Sequence, residues 1–188
     1  MIRVLGLGNV LMSDDGFGPF VVRVLEATYD CPPDVEFVDA GTPGLDLTPF
    51  LLGADAVIFV DTVTSRGRPG EIRVYDRDAI LKVPPQTRTG GHDPALKEAL
   101  LTVAAAGRGP SSVTLVGAIP EWIATGVTLT PALEAAVGPA VLAIVTALAG
   151  LGVDIAPKLH PDVPHIWWAH DASLDAGRVT NLPQLTAD

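Results

Sequence analysis

Apolar and polar positions along the chain follow two rhythms that alternate. Residues 2–7 form a short apolar run closed by glycine, the pattern of a strand covered on both faces. From Phe17 the apolar positions are Phe17, Phe20, Val21, Val24 and Leu25, which predicts a helix with one buried stripe. Pro19 suits that helix only in its first turn. Residues 35–38 predict a second strand, ended by Asp39-Ala40-Gly41-Thr42, and residues 45–52 predict a short helix. Residues 56–60, Ala-Val-Ile-Phe-Val, form a wholly apolar strand that runs straight into Asp61. Residues 71–75 alternate and predict a half-exposed strand, followed by a loop over 82–91 rich in Pro, Thr and Gly. Asp93-Pro94 and Thr130-Pro131 each join a capping side chain to a proline fit for the first helical position. They predict helices to about residues 106 and 150, separated by an apolar strand at 113–119. Pro139 predicts a kink in the second of these helices.

Strands alternating with helices predict the α/β class, with a largely parallel five-stranded sheet. No repeat or linker interrupts residues 1–156, which read as one α/β domain. Residues 157–188 break the pattern and read as a C-terminal extension. They carry three of the four histidines, His160, His165 and His170, and the pair Trp167-Trp168. The spacing of these histidines is not that of a helix face. The tryptophans argue that the extension docks on something, since exposed tryptophan is costly.

Charge narrows the functional classes. Twelve Lys+Arg stand against 22 Asp+Glu, a formal net charge of -10, and no basic patch occurs. No nucleic acid partner is expected, because phosphate binding needs clustered cations. With 48% hydrophobic residues the 188-residue chain can bury a real core. Cys31 is the single cysteine, so no disulfide forms within the chain, which fits a reducing cytoplasm. The N-terminus lacks the features of a secretory signal. The most apolar later stretch, residues 140–151, is too short to span a bilayer, so no membrane association is expected. A cytoplasmic monomer is the expected state.

The loop GLGNVLMSDDGFG, residues 6–18, poses the chemical question. Gly6 and Gly8 suggest a phosphate cradle, but Leu11 stands where a dinucleotide fingerprint needs its third glycine. No Gly-Lys-Ser/Thr of a P-loop occurs, and Asp14 and Asp15 would repel phosphate. Acids instead recur beyond strand ends, where sites of parallel α/β sheets gather. Asp15 follows the first strand, Asp39 ends the second and Asp61 ends the third, while His92 precedes a helix start. Two carboxylates and an imidazole could hold a divalent transition metal. Helix capping and turn formation are the competing roles for Asp14, Asp15 and Asp93. Other constellations are missing: there is no Gly-x-Ser-x-Gly elbow, no His-Glu-x-x-His helix and no paired Asp-Thr-Gly. Cys31 enters a strand from the wrong end for a site.

Taken in order, GLGNVLMSDDGFG, VDAGTPGLDL, AVIFVDTV, a histidine before a helix, TLVGAIPE and LTPALEAAV resemble the hydrogenase maturation endopeptidases, over residues 2 to about 155. The resemblance implies a three-layer α/β/α sandwich around a twisted, mostly parallel sheet. It also implies a protease that removes a C-terminal peptide from the precursor of a nickel-iron hydrogenase large subunit. Nickel, supplied by the substrate, would be the recognition element; other divalent transition metals are compatible with the site. By resemblance, Asp15, Asp61 and His92 are the metal ligands, and Asp39 and Asp61 serve activity or substrate contacts. A non-proteolytic chaperone that senses nickel would use the same ligands. Peptidyl-tRNA hydrolase shares a strand followed by Gly-Leu-Gly-Asn. This chain lacks that family's Pro-Gly after the Asn, its early histidine and its positive charge.

Overall fold

The computed structural model describes residues 1–82 and 93–169. Five strands form one sheet: β1 (Ile2–Leu7), β2 (Val35–Gly41), β3 (Ala56–Thr62), β4 (Ile72–Asp76) and β5 (Ser112–Ala118). Their order is β2-β1-β3-β5-β4. The first four in that order pair in parallel, and β4 closes the edge antiparallel to β5. Helices are α1 (Phe17–Thr28), α2 (Thr48–Leu51), α3 (Arg77–Lys82), α4 (Asp93–Ala105) and α5 (Pro131–Gly150). The expected α/β class and mostly parallel sheet are both observed.

Side-chain alternation along the strands builds two cores. Val4, Ile58, Val60 and Val116 face α1 and α5, where Phe17, Val21, Leu25, Leu133, Val137 and Ile144 pack on them. Leu5, Val57, Phe59 and Leu115 face the other way and meet Leu51, Ile80, Leu96 and Leu100. The central strands are apolar on both faces because helices cover both. Three layers result.

Four elements differ from the pattern-based expectation. β2 runs through Asp39 to Gly41, because parallel pairing with β1 carries it past the apolar stretch. The expected helix over 45–52 divides into a 3-10 turn, Gly44–Leu47, and the single turn of α2. The six-residue α3 has no apolar stripe to announce it; Asp76 caps it by accepting the Ala79 amide at 2.8 Å. α5 is one continuous 20-residue helix through Pro139. Gly138, having no Cβ, eases the crowding a proline imposes on its predecessor. That length also corrects the reading of residues 140–151: by length and composition α5 could cross a membrane. Its buried stripe, Leu133, Val137, Val141, Ile144 and Leu148, instead lies on the sheet as core.

After α5 the chain returns along the C-terminal end of α1. The Lys158 amide donates to Thr28 O at 2.8 Å, the Asp162 amide to Ala27 O at 2.9 Å, and Lys158 Nζ to Glu26 O at 2.8 Å. The last turn of α1 has no basic residue of its own, so this segment supplies the cap. Trp167 and Trp168 meet edge to face, with ring centroids 5.5 Å apart. His160 and His165 are exposed, and His170 lies outside the described residues.

Candidate functional site

β1 and β3 are neighbours, with Gly6 opposite Val60, so their C-terminal ends open side by side. At Gly8 the chain turns with φ +131°, a conformation that side chains resist. A Cβ there would also strike the Asp15 carbonyl, so the loop folds back on itself at this point. Asn9 pins the fold-back. Its side-chain oxygen accepts the Leu11 amide at 3.0 Å, and its own amide donates to Asp15 Oδ2 at 2.9 Å. Gly18 makes the second close approach, since a Cβ there would meet the carbonyls of both Leu7 and Val60. α1 therefore begins against two strand ends, and the 3-10 turn Ser13–Gly16, which carries Asp15, packs against β3.

Asp15 and Asp61 are both buried. Asp61 Oδ1 accepts the Thr62 amide at 2.7 Å. On β3 it follows the alternation of Val57 and Phe59, which places it on the α4 side of the sheet. Asp39 does not share that face. It lies opposite Gly6 in register, two residues beyond Phe37, which packs toward α1. There its carboxylate takes Arg23 Nη2 at 3.3 Å and the Gly41 amide at 3.2 Å. His92, the third expected ligand, lies outside the described residues, as do the other residues from 83 to 91. Among the described residues, no three His, Cys, Asp or Glu side chains converge on one point.

The adjacent acid, Asp14, has a different task. It is fully buried and accepts four hydrogen bonds: from the amides of Glu121 (2.9 Å), Trp122 (3.0 Å) and Thr130 (2.7 Å), and from the Thr130 hydroxyl (3.1 Å). Thr130 is the N-cap of α5. Two further ties run from Ser13: its amide donates to Gly126 O at 2.8 Å and its hydroxyl to Thr128 O at 3.0 Å. Ser13 is the one non-glycine among the described residues with positive φ, +52°, and these bonds hold it there. The loop bearing Asp15 is thus bolted to the segment between β5 and α5. Sequence reasoning missed both Asp14 as the bolt and Arg23 as the partner of Asp39. The capping role open to Asp14 was the one local hint; its partners, more than 100 residues away, left no local signal.

Cys31 plays no part here. Burial raises its thiol above the ordinary cysteine range, backed by the charges of Glu26, Asp34 and Glu36, while a bond from the Phe37 backbone acts the other way. A thiol so placed is a poor nucleophile. Two buried carboxylates at neighbouring strand ends, by contrast, can hold a divalent cation or orient a water for attack on a carbonyl.

Comparison with known proteins assigns the class, a peptidase. Residues 19–147 match the HycI family model, described as hydrogenase maturation protease, and the chain belongs to that family. It is 34% identical over 158 residues to the hydrogenase 2 maturation protease of Escherichia coli strain K12, covering 84% of this chain and 96% of that protein. It is 32% identical over 142 residues to the hydrogenase expression/formation protein HoxM of Cupriavidus necator, covering 75% of this chain and 70% of that one. Among solved structures it resembles the hydrogenase maturating endopeptidase HybD from E. coli, with a TM-score of 0.77 and 32% identity, over 84% of this chain and 97% of that one.

Proposed function

We propose that this peptidase removes a C-terminal peptide from the nickel-loaded precursor of a nickel-iron hydrogenase large subunit, reading the nickel as its recognition element. The burial of Asp15 and Asp61 at the ends of neighbouring strands, in a chain of the maturation protease family, carries this reading. Nickel travels with the substrate. Asp15, Asp61 and His92 complete its coordination, a set of two carboxylates and an imidazole that suits a divalent transition metal. Asp15 is preset for this by the Asn9 amide.

The reaction is amide hydrolysis. A water oxygen adds to the scissile carbonyl, the C–N bond breaks, and the leaving amine takes up a proton. Asp61, at the C-terminal end of β3, serves both the nickel and the reacting bond. Asp39, held by Arg23 on the α1 side, serves substrate contacts. The partner is the large-subunit precursor, met in the cytoplasm by a monomeric enzyme.

Processing of nickel-loaded precursor by Asp61→Ala tests the reading. The account requires processing to be lost while the variant keeps its circular dichroism spectrum and cooperative unfolding. Normal processing by a folded Asp61→Ala protein contradicts it.

A further inference from the structure

An apolar rim stands beside the Asp15 loop. Leu11 is 56% exposed, Trp122 60% and Val127 37%. Single exposed apolar residues are ordinary, but these three sit on two segments that are bonded together. Gly126 donates to Leu11 O at 3.0 Å, Met12 forms a β-bridge with Gly126, and the Trp122 amide bonds Asp14 at 3.0 Å. The frame beneath the rim is therefore fixed before anything binds, which lowers the ordering cost of binding.

We propose that Leu11, Trp122 and Val127 form a docking surface for an apolar segment of the precursor polypeptide close to the scissile bond. This rests on the peptidase reading above. Three observations favour that occupant. The rim is continuous with the loop that carries Asp15, only four residues beyond Leu11. A polypeptide residue spans about 3.3–3.6 Å when extended, so a segment on the rim reaches the strand ends within a few residues. The rim itself offers a leucine, a tryptophan and a valine, for which an apolar segment is the match, while the chain's net charge of -10 disfavours an acidic one. Metal recognition alone does not orient a peptide bond; a second anchor on the polypeptide does.

Binding and cleavage of nickel-loaded precursor are compared for the wild type, Leu11→Ser and the Leu11→Ser/Trp122→Ser double variant. Both altered positions are exposed, and thermal unfolding checks that the variants fold. The rim account expects precursor affinity to fall at least tenfold in the double variant and less in the single one, with the loss of cleavage falling on KM rather than kcat. Unchanged affinity in the folded double variant overturns the inference, whether or not the wild type cleaves. Sedimentation that shows the wild type dimerising, and the double variant not, assigns the rim to a second copy and also overturns it. A wild type that binds the precursor through the rim but never cleaves it contradicts the peptidase reading and upholds the docking surface.

Discussion

The Asp14 carboxylate accepts both the amide and the hydroxyl of Thr130, a residue 116 positions away that caps α5. One side chain thus ends the loop after β1, orders the segment before α5 and supports that helix's N-terminus. Its neighbour Asp15 instead accepts the Asn9 amide, two residues beyond the end of β1.

Asp14→Ala leaves three amides and a hydroxyl without their buried acceptor, each worth about 1–3 kcal/mol when unsatisfied. Urea unfolding should show a loss of about 3 kcal/mol or more. Asp14→Asn should recover only part of it, because its NH2 faces donors.

Close approach at Gly18 predicts that Gly18→Ala costs about 1–3 kcal/mol or more, since backbone carbonyls of Leu7 and Val60 occupy the space. Gly150→Ala, with nothing near its Cβ at the end of α5, should be neutral or stabilising by up to about 1 kcal/mol. Thermal unfolding of the two variants checks the contrast.

The segment after α5 predicts a stability role. Lys158→Ala frees the Glu26 carbonyl and should cost about 1 kcal/mol. A chain ending at residue 156 also loses the bonds to Ala27 and Thr28. It should be less stable again, with faster amide hydrogen exchange in the last turn of α1.

Glu71 predicts a pH dependence. Hydrogen bonds from Arg73 and then Arg68 hold its carboxyl below the ordinary glutamate range. A folded value below the unfolded one gives stability that is present above the unfolded value of about 4.3 and is lost as pH falls through the folded one. Wild type and Glu71→Gln should differ slightly in melting temperature at pH 7 and converge as the solution is acidified past that point.

The strands and long helices were legible because apolar periodicity is a local signal. The place of β4 at the edge, antiparallel, was not; alternation over 71–75 says only that one face is exposed. α3 was invisible because it rests on the Asp76 cap and not on a stripe. Within the site, Asp61 was legible because an apolar strand runs directly into it. Asp14 and Asp15 look alike in sequence, and what separates them is a set of partners 107–116 residues away. Asp39 was legible as a strand-end acid, but its face was set by register with β1, and its partner Arg23 comes from the second turn of a helix.

The most direct test is mass spectrometry of the hydrogenase large-subunit precursor, nickel-loaded and nickel-free, after incubation with this protein. The account predicts loss of a C-terminal fragment from the loaded form and none from the nickel-free form. Equal cleavage of both forms, or cleavage of neither, contradicts it.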